Sequence, residues 1–162
     1  MATVFVNIGS NLGNRRLNLS RAMRAVNAEF GDFEMSHVVE SEPWGFASPH
    51  PFLNVGIAFS TDRTPREVLS ALQGIEKSID GRSHRDASGG YADRTVDIDI
   101  VAIDTEVIDE EGLKVPHPHL RERRFFLEPM CELAAGWRDP LSGQTPMEML
   151  AQLSQDNKDE IK

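Results

Sequence analysis

The hydrophobic period of this 162-residue chain switches back and forth between two and about 3.6, and the order of those switches restricts the fold more than any single motif. Val4, Val6 and Ile8 alternate with Phe5 and Asn7, which predicts a strand over residues 3 to 8 that ends in the turn GSNLGN. Leu19, Met23, Val26 and Phe30 then follow at helical spacing, and Gly31 closes that helix. Residues 33 to 41 and 52 to 60 read as strands, the second with Leu53, Val55, Ile57 and Phe59 on one face. Thr64, Pro65 and Glu67 supply an N-cap, a first-turn proline and a capping-box acid for a helix carrying Val68, Leu69, Leu72, Ile75 and Ile79. After the glycine-bearing stretch GRSHRDASGGYAD, a loop of the kind kept for binding, RTVDIDIVAID resumes strand patterning. Strand, helix, strand, strand, helix, strand is the split βαβ order of an α+β, ferredoxin-like antiparallel sheet with helices on one face.

The remainder adds a small hairpin or loop over 105 to 115, a helix over RERRFFLEPMCELAA broken near Pro129, and a short last helix opened by a second capping box at Thr145, Pro146 and Glu148. Residues 1 to 162 make one domain, with 155 to 162 a frayed tail. The chain has a net charge of −9, so it repels nucleic acid and anionic membrane as a whole. No apolar run approaches a membrane span, and a single cysteine, Cys131, excludes an internal disulfide and a cysteine-based zinc site. The expectation is a cytoplasmic monomer.

Chemistry gathers at the end of the pattern. Asp97 and Asp99 stand two apart on a strand, so both carboxylates leave one face about 6 to 7 Å apart. Paired acids on a strand repel unless a cation joins them, and two hard oxygen ligands completed by phosphates and water are a common seat for Mg²⁺. A solvated strand face is the plain alternative. Positive charge is concentrated on either side: Arg82, His84, Arg85 and Arg94 lie in or beside the glycine-rich loop, and residues 114 to 124 hold four Lys/Arg against one acid, a local +3. Arginines arranged so would neutralise phosphate charge, although a wet helix face reads the same way. His117, in VPHPH, is as consistent with a structural hydrogen bond as with a phosphate contact. Asn54 interrupts an apolar strand beside Phe52; an amide next to a ring suits a polar heterocycle, though simple packing explains such residues as often.

GSNLGN after the first strand, then EPWGF, FLN, IE followed by GR, RTVDIDI and VPHPHLRERRFFLEP together resemble the 6-hydroxymethyl-7,8-dihydropterin pyrophosphokinase family, in unbroken order from about residue 4 to residue 137. The resemblance implies transfer of the β,γ-pyrophosphoryl group of ATP to the hydroxymethyl oxygen of the dihydropterin, with release of AMP and two Mg²⁺ ions accompanying ATP, in folate biosynthesis. It implies Asp97 and Asp99 as metal ligands and Arg82 and Arg94 as catalytic loop arginines. Gln73, Glu76, Arg85, Ile100, Lys114, His117 and Arg123 fall at ATP-binding positions. Pro43, Trp44, Gly45, Phe52, Asn54 and Phe125 fall at pterin-binding positions. Two departures stand out: Tyr91 replaces a tryptophan of some members and Pro118 a tyrosine. The rival readings are a nucleoside diphosphate kinase-like enzyme that phosphorylates His117, and a ferredoxin-like ligand-binding module without catalysis.

Overall fold

The computed structural model describes residues 1–42, 49–80 and 95–161, with the backbone alone at 80 and 157–161. Its elements are β1 (Ala2–Ser10), α1 (Arg15–Phe30), β2 (Glu34–Met35), β3 (Val39–Ser41), β4 (Phe52–Thr61), α2 (Pro65–Asp80), β5 (Asp97–Ile103), β6 (Ile108–Glu110), β7 (Leu113–Val115), a 3-10 turn (Leu120–Glu122), α3 (Arg124–Leu133) and α4 (Pro146–Ile161). The main sheet is antiparallel in the order β2-β4-β1-β5, with β3 also on β4, which is the ferredoxin-like arrangement expected. Both capping boxes form: the Thr64 N–H donates to Glu67 Oε1 (2.9 Å) and the Glu67 N–H to Thr64 Oγ1 (3.2 Å), and Thr145 and Glu148 repeat the exchange. These bonds hold the exposed carboxyls of Glu67 and Glu148 below the usual carboxylate range.

One sheet face buries Val4, Val6, Ile8, Val55, Ile57 and Phe59 against Leu19, Ala22 and Val26 of α1 and Val68, Leu72 and Ile75 of α2. The face predicted for each helix is the face buried. Among the described residues, helices also cover the opposite face at one end. There Phe5, Ala58, Val101 and Ala102 meet Leu120, Phe126, Leu127, Met130 and Met149 from the 3-10 turn, α3 and α4. Helices therefore sit on both faces, and the half of the second face that no described helix covers is left for the site.

Three local features depart from the pattern reading. The strand expected over 33 to 41 is two pieces, because Met35 pairs with Ile57 and Val39 with Asn54, which leaves three residues opposite two. Ser36 causes the break: its N–H donates to Gly56 O (2.8 Å) while its hydroxyl accepts from the Gly56 N–H (2.9 Å), so a side chain replaces part of the ladder. The helix expected to break near Pro129 runs through it unbroken. The ring of Pro129 packs against Gly56, where a side-chain carbon would collide with it, and this contact outweighs the lost backbone bond. The last helix is long rather than short, its backbone helical as far as Ile161, through most of the segment expected to fray. No helix among the described residues is long and apolar enough to cross a membrane.

A further irregularity governs β5. Val6 pairs with Ile100 and Phe5 with Ala102, so Val101 has no opposite number. Ile98, Ile100 and Ile103 face the α1/α2 side, whereas Val101 and Ala102 both face α3. The bulge lets the strand serve both cores.

Candidate active site

Alternation along three neighbouring strands fixes what the uncovered half-face carries. On β1 it is Asn7 and Gly9, on β4 Phe52 and Asn54, and on β5 Asp97 and Asp99, with Gly9 opposite both Asn54 and Asp97, and Asn7 opposite Asp99. The two aspartates share a face, as their spacing required, and both are partly exposed. From α2, Glu76 Oε2 accepts the Ile98 N–H (2.9 Å), which pins the backbone between the two acids.

The turn after β7 closes over the acids. The His117 N–H donates to Val101 O (2.8 Å) at the bulge, and His117 Nδ1 accepts the His119 N–H (3.1 Å). Its Nε2 then lies 3.9 Å from Asp99 Oδ1. Because Nδ1 is an acceptor, the ring proton sits on Nε2 and faces Asp99. Burial, then the Arg123 guanidinium and His119, push the His117 pKa down to about 3, so the ring is neutral. Arg123, only 6% exposed, brings Nη1 to 3.9 Å from Asp99 Oδ2, while its guanidinium lies over the rings of Phe126 (5.0 Å) and Phe125 (5.5 Å). Phe125 is half-buried beside Phe126.

The neighbouring part of the face is built from amides. Asn54 Nδ2 donates to Ser41 Oγ (2.7 Å) and, at 3.4 Å, to Val39 O, and Asn54 Oδ1 accepts from Asn7 Nδ2 (3.4 Å). A side-chain carbon on Gly9 would approach Asn54 Oδ1 to 3.0 Å and the Phe52 ring to 3.2 Å, so glycine makes room for both. Asn11 Nδ2 and Arg15 Nη1 donate to the carbonyls of His50 and Pro51, each at 3.0 Å, and tie the approach to β4 to the turn after β1.

The structure thus gathers Asp97, Asp99, His117, Arg123, Phe52, Asn54 and Phe125 around one open face. Gln73 is exposed on α2 and Lys114 is exposed on β7, its Nζ 3.8 Å from Asp109 Oδ1. The Ile100 side chain lies in the α1/α2 core, on the far side of β5 from the acids, so only its backbone borders the site. Pro43, Trp44, Gly45, Arg82, His84, Arg85, Tyr91 and Arg94 lie outside the described residues. Asn7, Gly9 and Ser41 were not singled out from the sequence. Asn7 carried the same signal as Asn54, a polar residue interrupting an apolar strand, on the strand next door. Among the described residues no group of three or more His, Cys, Asp or Glu is arranged to hold a metal ion alone.

Residues 5–135 match the family described as 7,8-dihydro-6-hydroxymethylpterin-pyrophosphokinase. The chain belongs to this family. A 2-amino-4-hydroxy-6-hydroxymethyldihydropteridine pyrophosphokinase of Porphyromonas gingivalis is 38% identical over 142 residues, covering 86% of this chain and 95% of its own. One from Aquifex aeolicus is 40% identical over 134 residues, covering 82% and 81%. Among solved structures, a triple mutant of Plasmodium falciparum HPPK-DHPS with STZ-DHP superposes with a TM-score of 0.79 at 13% identity, over 98% of this chain and 44% of that one. The chain spans under half the length of such two-part proteins, and the likeness to them is one of fold. The pyrophosphokinase family transfers a pyrophosphoryl group to hydroxymethyldihydropterin in folate biosynthesis, and the chain is an enzyme of that class.

Proposed function

We propose that ATP and 6-hydroxymethyl-7,8-dihydropterin meet over the open half-face of β1, β4 and β5, and that the β,γ-pyrophosphoryl group passes directly from one to the other. The hydroxymethyl oxygen gives up its proton to water and forms a bond to the β-phosphorus, the bond from that phosphorus to the α,β-bridging oxygen breaks, and AMP leaves. The carrying observation is the placement of Asp97 and Asp99 side by side on this face, with His117 Nε2 and Arg123 Nη1 each 3.9 Å from Asp99. Metal-ligand and phosphate-binding groups are thereby concentrated beside the Asn54 amide.

The donor set fits Mg²⁺. Two carboxylates are too few to hold the ion alone, and octahedral Mg²⁺ is usually completed by substrate phosphates and water. Asp97 and Asp99 would hold it, with two ions accompanying ATP, and it would supply neutralisation of phosphate charge. This chain's own residues do the rest. His117 offers an Nε2–H donor and no positive charge; Arg123 offers a buried guanidinium held on two rings; Glu76 keeps the acids in place through Ile98. Gln73, Lys114 and the Ile100 backbone complete the ATP side, and Arg82, Arg85 and Arg94 would close over the phosphates. Phe52 and Phe125, with Pro43, Trp44 and Gly45, would hold the pterin ring while Asn54 reads its edge. Such transfer depends on positioning and electrostatics rather than on a covalent intermediate. Among the described residues the six exposed large apolar side chains come from separate segments, in keeping with a monomer.

A phosphohistidine route is disfavoured by His117 itself. Its Nδ1 lone pair is occupied by a backbone N–H and its Nε2 carries the proton, so neither nitrogen is a free nucleophile. The test is AMP formation by Asp97→Ala. Pterin-dependent AMP release should fall about 100-fold or more with the fold retained. A near-parent rate would overturn the assignment, and γ-labelled ATP should leave no label on the protein.

A further inference from the structure

Asn7 occupies a place where an apolar residue would be expected. It lies on the central strand of the sheet, 3% exposed, between Gly56 on one neighbour and Asp99 on the other. Its Nδ2 donates to Asn54 Oδ1 at 3.4 Å, and its own Oδ1 is buried with no hydrogen-bond partner. An unpaired buried acceptor is costly, and native proteins hold few of them. The direction of the amide chain explains why it is left so. Val39 O, a backbone carbonyl, can only accept, so the Asn54 NH₂ group must face Val39 and Ser41. Asn54 Oδ1 must then face Asn7, and Asn7 must turn its own NH₂ toward it. The opposite orientation would set two oxygens against each other. The unpaired Oδ1 of Asn7 is the consequence.

We propose that Asn7 is a positioning residue: Val39 and Ser41 set which way the Asn54 amide faces, and Asn7 holds its oxygen in place as an acceptor, so that the pocket selects the donor edge of the pterin, its 2-amino and N3–H groups. With both Nδ2 hydrogens engaged, Asn54 has only oxygen to offer a ligand, and that oxygen is held in place by Asn7 from one side and given room by Gly9 from the other. The inference rests on the reading of Asn54 as a pterin contact. It adds that the amide's orientation is set before substrate arrives.

Steady-state kinetics on the full chain separate the two ideas. Asn7→Ala should raise the KM for the dihydropterin about fivefold, the worth of one neutral hydrogen bond, while kcat and the KM for ATP stay near the parent values. Asn7→Leu, close in shape to asparagine, should do the same, and guards against a packing defect in the alanine variant. Both variants should melt no lower than the parent, because the amide they remove carries an unpaired oxygen; a purely structural Asn7 would predict the reverse. In an Asn54→Ala background the Asn7 change should have no further effect on the pterin KM. A pterin KM unmoved by either Asn7 variant, or raised equally in the Asn54→Ala background, would overturn the positioning role alone. A pterin KM unmoved by Asn54→Ala would instead overturn the reading of the pterin subsite on which it rests.

Discussion

At the scale of single residues, the site depends on groups held in one protonation or hydrogen-bonding state. His117 is the plainest case. Its pKa falls from 6.5 to about 3 through burial, Arg123 and His119. The unfolded chain would therefore bind a proton between pH 6.5 and 3 that the folded protein refuses, so stability rises with pH across that window and its His117 part is complete above it. His117→Gln should flatten the dependence of the urea midpoint on pH between 3 and 6.5 relative to the parent; an unchanged slope would contradict a buried neutral ring. Asp97, Asp99 and Asn54 were legible in the sequence, because polar residues are conspicuous where a strand should alternate or stay apolar. Asn7 bears the same mark, but its pairing with Asn54 spans 47 positions and depends on register. No spacing rule reveals a register.

Secondary-structure elements were more legible than their irregularities. Caps are local, so Thr64, Glu67, Thr145 and Glu148 announce their helices by residue type alone, and Gly31 ends α1 with a positive φ of 86°. Bulges and tolerated prolines are not local. The break at Ser36 needs Gly56 across the ladder, and the passage of α3 through Pro129 needs the same glycine beneath it. Gly56 therefore serves two elements at once. Gly56→Ala should cost about 2 kcal/mol or more in chemical denaturation, in the upper range of overpacking, with Pro129→Gly, which removes the colliding Cβ, expected to relieve part of the loss. Additive effects of the two changes would show that they do not meet.

For the molecule as a whole, the order of periods yielded the sheet and the first helix layer, but not where the C-terminal helices would land. Their packing on Phe5, Ala58, Val101 and Ala102 is a tertiary choice, and it decides which half of the second face stays open. The chain carries a net charge of −9, yet the proposed site would receive a polyphosphate, so its local cations and the proposed Mg²⁺ would have to outweigh the global field. Mg²⁺ titrated calorimetrically into the protein alone should bind weakly and tighten markedly once ATP is present, since the described acids supply only part of a shell. Equally tight binding without nucleotide would point to a protein-only site.

The extra residue at Val101 has a longer reach than its size suggests. Ahead of it the strand must turn acids outward; beyond it Ile103 must turn inward, and those demands are out of phase by one position. Deleting Val101 would bring Ile103 into step with Ile98 and Ile100 and keep the acids outward, but it would take away the side chain that packs on the α3 side and the carbonyl that receives the His117 N–H. Lineages descended from this chain should thus accept many exchanges of side chain in β5, but hardly any change in its length.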